Sequence, residues 1–155
     1  MKGLILDTNL LLVYLIGCYD VDYITHFTRT SAYTSEDFNK LRRYIKNFNA
    51  LFVTPQILTE LSHFSEEVNE SKLNSYFEVL IKELSNFKEE YIDKNIILSN
   101  KESLIKFGFA DCSIVEAAKR NSLTVLTTDF PLSGSMKASD LKALNWVDLL
   151  FSVEV

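Results

Sequence analysis

Leu4-Ile5-Leu6-Asp7-Thr8-Asn9 joins a short, unbroken apolar run to three polar residues, and a second apolar run, Leu10 to Ile16, follows at once. A strand covered by helices on both faces carries such a run, because neither side of it meets water. The polar triplet marks the end of that strand, and the residues after it read as a helix to about Ile16. The same order recurs twice. Leu51-Phe52-Val53 is a second short strand, and Thr54-Pro55 then starts a helix to about Glu66, with Thr54 as N-cap and Pro55 at the first helical position. Leu123 to Leu126 is a third strand, ending in Thr127-Thr128-Asp129. Strands alternating with helices predict an α/β sandwich around a mostly parallel sheet.

Between these units, Thr34 or Ser35 can cap a helix to about Phe48, with Phe38, Leu41, Ile45 and Phe48 on one face. Leu73, Tyr76, Phe77, Leu80 and Leu84 trace a further helical stripe. Residues 88–107 are expected to be helical in part, and Asp111 to open a helix that turns Ile114, Val115, Ala117 and Ala118 to the core. A helix is expected over Ser139 to Leu144 and a last strand over Trp146 to Phe151. Residues 18–34 carry no assignable pattern.

The chain has 155 residues, 47% of them hydrophobic, which suits a single domain over 1–155 with a sizeable core. Cys18 and Cys112 stand in no metal-ligand spacing, so a disulfide scaffold or zinc ribbon is not expected and a reducing cytoplasm is. Met1 to Cys18 has some look of a signal peptide, with Lys2 ahead of an apolar stretch and Leu15-Ile16-Gly17-Cys18 at its end. Asp7, Thr8 and Asn9 interrupt that stretch, and its seven-residue remainder favours a buried strand and helix instead. No membrane association is expected.

The acids fall in a pattern relative to these elements. Asp7 and Asp129 end strands, and ligands of open parallel sheets bind beyond the carboxyl ends of strands. Glu60 lies on the helix after the second strand, and Asp111 lies at a helix start, where negative charge suits the dipole. Four elements thus offer four carboxylates to one sheet edge. Hard divalent cations favour such oxygen donors, and only a cation or raised pKa values relieve the repulsion among them. The net charge of −5 argues mildly against a nucleic-acid partner. Taking these four from the 21 acids leaves 17 against 16 bases, so the charge does not exclude one.

Four segments carry a family resemblance. Ile5-Leu6-Asp7-Thr8-Asn9, then Val53-Thr54-Pro55 through Glu60-Leu61, then Phe109-Ala110-Asp111 through Ala118, and Leu126-Thr127-Thr128-Asp129 resemble, in order and across essentially the whole chain, the four motifs of PIN-domain nucleases. The resemblance implies a PIN-like three-layer α/β/α sandwich and a metal-dependent endoribonuclease, often a VapC-type toxin neutralised by an antitoxin and often a homodimer. It implies that Asp7, Glu60, Asp111 and Asp129 hold one or two Mg²⁺ or Mn²⁺ ions at the catalytic centre. Asn9, Thr127 and Thr128 would orient ligands or water. Residues 18–50 look longer than the matching region of small toxins, a departure that bears on the toxin role more than on the nuclease one.

Other readings compete for the same residues. Lys40, Arg42, Arg43 and Lys46 form a basic face that suits RNA phosphates, and equally an ordinary solvated helix face. His63 stands i+3 from Glu60, a spacing that can share a metal, though Mg²⁺ sites avoid imidazole. His26 has no evident partner. Cys112 reads as a small core residue, since no His pairs with it as a nucleophile would need. Tyr19 and Tyr23 are candidates to line a groove. Two other functions remain: a non-catalytic PIN-like binding module, and a haloacid-dehalogenase-like phosphohydrolase with Asp7 as nucleophile. The latter chemistry needs an acid at position 9, where this chain has Asn9.

Overall fold

The structure is a computed structural model, and it describes residues 2–151. Five parallel strands form one sheet: β1 (Gly3–Leu6), β2 (Ala50–Val53), β3 (Lys88–Glu89), β4 (Thr124–Thr127) and β5 (Ala143–Asn145), in the spatial order β3-β2-β1-β4-β5. Every residue of β1 is buried, so both faces of the sheet centre are covered, and helices on either side complete a three-layer α/β/α sandwich. Gly3 lets the layers close there, because a Cβ at that position would lie 2.7 Å from the side chains of Leu123 and Phe52.

α1 (Thr8–Tyr19) follows β1 and is buried along most of its length. It packs against α2 (Ser35–Ile45), α3 (Pro55–Ser65) and α4 (Glu70–Leu84). The apolar residues of Leu10 to Ile16 therefore belong to a central helix. Gly17 admits the ring of Phe38 from α2, which a Cβ would meet in direct collision. Residues 20–34, which had no readable period, fold as irregular chain with two single 3₁₀ turns, at Val21–Tyr23 and Thr28–Thr30. α5 (Lys94–Leu98) and α6 (Lys101–Asn121) follow β3, and α7 (Phe130–Ala138) and α8 (Trp146–Leu150) flank β5. No helix among the described residues is long and apolar enough to cross a membrane.

The caps explain several boundaries. Thr34 and Asp37 form a reciprocal capping box at α2, which ends at Ile45 rather than running to Phe48. Thr54 caps α3 with Pro55 in the first turn. Two expectations near the C-terminus are corrected. Ser139 to Leu144 is not a helix. Asp129 caps α7 at Phe130, earlier than expected, and a left-handed turn at Asp140 sends the chain into β5. Trp146 to Phe151 is not a strand. Trp146 and Leu149 are buried while Val147 and Asp148 face outward, a helical spacing that Asn145 caps through the N–H of Val147.

Candidate active site

The sheet order places a switch point at the centre. From β1 the chain winds outward to β2 and β3, then crosses back to lay β4 on the other side of β1. Connections leave the carboxyl ends of β1 and β4 in opposite directions, which opens a crevice between them. Asp7 and Asp129 are the residues that leave these ends.

Asp7 is held from several sides. Its N–H donates to Leu126 O at 3.0 Å, extending the ladder to β4. Its Oδ1 accepts from the N–H of Leu10 at 2.9 Å, capping α1. Its Oδ2 accepts from Thr127 Oγ1 and from the Thr128 N–H, both at 2.7 Å, and from Thr128 Oγ1 at 3.2 Å. Asp7 is only 5% exposed. Burial pushes its carboxyl above the ordinary range, and these four donors pull the other way. Thr127 Oγ1 also accepts from the N–H of Asp129 at 3.0 Å, so one buried hydroxyl ties together the ends of β1 and β4.

Asp111 reaches the crevice because α6 breaks. Gly108 sits inside it at φ +83° and ψ 175°, a conformation nearly confined to glycine, and the helix restarts in a new direction just before Asp111. Asp111 is thus in the first turn of the second half, close to the expected helix start. Burial first, then the charges of Asp7, Asp129 and Glu60, raise its carboxyl from 3.8 to about 7. Underneath, Thr54 Oγ1 and Ser113 Oγ lie 2.7 Å apart, locking the start of α3, which bears Glu60, to the segment of α6 that bears Asp111.

These elements enclose a cleft of about 250 Å³ lined by Asp7, Asn9, Glu60, Asp111, Thr128 and Asp129. All four acids singled out from the sequence line it, as do Asn9 and Thr128, while Thr127 lies buried beneath Asp7. As placed, no three His, Cys, Asp or Glu side chains among the described residues form a group able to hold a metal ion. The acids share the cleft without closing on one point. The Thr8 hydroxyl, buried in the cleft wall, finds no hydrogen-bond partner.

The other candidates lie elsewhere. Lys40, Arg42, Arg43 and Lys46 do not line the cleft, and Lys40 Nζ donates to Leu150 O at 3.1 Å. His63 faces a separate depression with Leu58 and Glu66 rather than sharing the cleft with Glu60. His26 sits beside Asp20 and Lys72. Cys112 is buried and lines a different cavity, and neither it nor Cys18 is in a disulfide. Tyr19 and Tyr23 pack edge to face with each other, away from the cleft. From the sequence, Phe64, Phe107 and Gly108 had no place in the site and Phe109 none beyond the third motif, yet with Ala110 they form the apolar part of the wall. A glycine ahead of an acid in a helical pattern was the available signal for Gly108. The three rings read as ordinary core.

No protein-family model matches the chain, and no curated protein matches it. Among solved structures the chain is similar to a crystal structure of PAE2754 from Pyrobaculum aerophilum, with a TM-score of 0.53 at 14% identity. The alignment covers 97% of each chain, so the likeness extends over the whole sandwich and concerns its fold.

Proposed function

We propose that this chain is a divalent-metal-dependent endoribonuclease of the PIN type. One observation carries the reading: four acids from four elements line a single cleft at the switch point, near enough that Asp7, Asp129 and Glu60 help raise Asp111 to about 7. Like charges drawn together and away from water are costly unless a cation balances them. Carboxylate oxygens are the donors that Mg²⁺ and Mn²⁺ take, and the unsatisfied Thr8 hydroxyl adds an oxygen in the same cleft. The fit is one of donor chemistry and shared location. Asp7, Glu60, Asp111 and Asp129 would hold the ion or ions.

Bound there, a divalent ion supplies an activated water and neutralises charge on the scissile phosphodiester. The chain's own residues supply position. Thr127, Thr128 and the Leu10 N–H hold both Asp7 oxygens in fixed directions. Asn9, exposed on the cleft wall, offers an amide to substrate or water. The RNA substrate, an antitoxin partner, a homodimer and a cytoplasmic setting enter this proposal through the motif resemblance and the cysteine count. A phosphohydrolase using Asp7 as nucleophile is disfavoured, because the amide of Asn9 has no acidic proton to give.

Purified protein incubated with mixed single-stranded RNA in Mn²⁺, Mg²⁺ or EDTA, beside Asp7→Asn, tests the reading. Asparagine keeps one acceptor oxygen and can still cap α1, while its NH2 then faces the Thr128 N–H. The Tm of the variant in EDTA is therefore measured beside cleavage, to separate lost charge from lost fold. Metal-dependent cleavage that disappears in Asp7→Asn is the expected result. A wild type that neither binds metal nor cuts RNA overturns it and leaves a non-catalytic binding module.

A further inference from the structure

Two phenylalanine rings stand exposed beside the acids. Phe109 lines the cleft on the first turn of α6 past the Gly108 break and leaves 50% of its surface to solvent. Phe130 opens α7 directly after Asp129 and leaves 58%. Full burial of a phenylalanine stabilises a fold by about 1.5–3 kcal/mol. The chain takes that gain at Phe27, Phe38 and Phe52 and forgoes much of it at these two. Neither ring packs against another aromatic ring among the described residues.

Two other rings of the cleft wall carry cations against them. The Arg29 guanidinium lies 4.0 Å from the ring centroid of Phe64, and Lys106 Nζ lies 5.3 Å from that of Phe107; both rings line the cleft. Arg29 is fixed there by two hydrogen bonds to Glu67, at 2.8 and 2.7 Å. The Arg29 charge is taken up by Glu67, which leaves Lys106 beside Phe107 as the cation nearest this wall. A cleft with acids inside, one such cation beside it, Phe109 on its wall and Phe130 next in the chain to Asp129 matches a single nucleic-acid strand. Cations attract its backbone, and flat apolar faces take its bases.

We propose that Phe109 and Phe130 are base-stacking residues that hold the unpaired bases adjoining the phosphodiester in the cleft, and thereby select which bond of a strand is presented. The inference rests on the ribonuclease reading and assigns selection of the cut to two residues outside the acid cluster. A duplex keeps its bases in its own stack, so the rings engage unpaired strand only. Purines offer the larger face and stack more strongly, so cleavage beside a purine is favoured.

The test uses the full chain and a single-stranded RNA oligomer with 2-aminopurine at one position, titrated in Ca²⁺ and, separately, mapped for cleavage in Mn²⁺. Wild type, Phe109→Ala, Phe130→Ala and Phe109→Trp are compared, with Ile81→Ala as a control for an equally exposed apolar residue on α4. Wild type quenches the fluorophore. Each alanine variant weakens Kd about 5- to 150-fold, the equivalent of about 1–3 kcal/mol per stacked base. The alanine variants also blunt the purine preference, Phe109→Trp restores binding, and Ile81→Ala binds as wild type does. Retention of the Mn²⁺-induced rise in Tm shows that the acid cluster is intact in each variant. Alanine variants that bind and cut as wild type does overturn this inference and leave the ribonuclease reading standing. Quenching without metal-dependent cleavage overturns the ribonuclease reading and leaves stacking. A wild type that neither quenches nor cuts overturns both.

Discussion

Thr127 donates its hydroxyl proton to Asp7 Oδ2 across 2.7 Å, although 120 residues separate them in the chain. Thr127 Oγ1 in turn accepts from the backbone N–H of Asp129, so the orientation of the first acid and the departure of the fourth depend on one buried hydroxyl.

Thr127→Val keeps the shape and removes both hydrogen bonds. Leaving buried groups unpaired costs about 1–3 kcal/mol. Thermal denaturation should show a lower Tm and a weaker response to Mn²⁺, whereas Thr127→Ser, which retains the hydroxyl, should stay near wild type in the metal response. Equal metal responses for the valine and serine variants would count against an orienting role.

Asp129 has two separable duties. Its Oδ1 accepts from the Leu132 N–H at 2.9 Å and caps α7, and its charge belongs to the cleft. Asparagine caps about as well as aspartate, while alanine costs about 1 kcal/mol. Asp129→Asn should therefore hold its Tm in EDTA and lose metal-induced stabilisation, and Asp129→Ala should lose both. Calorimetry with and without Mn²⁺ separates the two effects.

The carboxyl of Asp111 titrates at about 7 in the folded chain against 3.8 for the group in isolation. Between those values the folded state holds a proton that the unfolded state has released. The corresponding stability is complete below pH 4, drains away as pH rises to 7, and stays lost above. Asp7, also raised, acts in the same direction. In EDTA, the Tm of Asp111→Asn should depend less steeply on pH across 4–7 than that of wild type. Parallel curves would show that Asp111 is already ionised in the folded chain at low pH. Protons and divalent ions compete for these oxygens, so Mn²⁺ should bind more tightly as pH rises toward 7.

Gly108→Ala isolates backbone strain. A Cβ there meets nothing within 4 Å, so the only obstacle is the φ of +83°. Holding alanine in that region costs on the order of 1–3 kcal/mol. The variant should melt earlier and respond less to Mn²⁺, because straightening α6 carries Asp111 off the cleft. Unchanged Tm and metal response would mean that the break is incidental to the site.

The strands at the sheet centre were legible because β1, β2 and β4 are apolar runs closed by polar residues, and the acids that end β1 and β4 fell into place with them. Glu60 was legible through the Thr54-Pro55 start signal. The edge strands were not. β3 is two exposed residues with no alternation to read, and β5 lies in a stretch whose apolar spacing suits a helix as well. The cleft's aromatic wall was hidden for a different reason. Phe107 and Phe109 sit either side of a break in α6, so the spacing that predicts an inward ring on a straight helix fails there. The basic face of α2 stood out by composition alone, and composition carries no information on which side of the sheet a helix lies.

The hydroxyl contact between Thr54 and Ser113 has a consequence for how such a chain can change over time. It fastens the segments that carry Glu60 and Asp111 directly to each other, so their relative placement does not depend on the route taken by the chain between them. Exposed positions of the intervening α4, short edge strand and α5 can therefore be exchanged without drawing the two acids apart, while Tyr76, Leu80 and Ile97 keep those elements tied to the core.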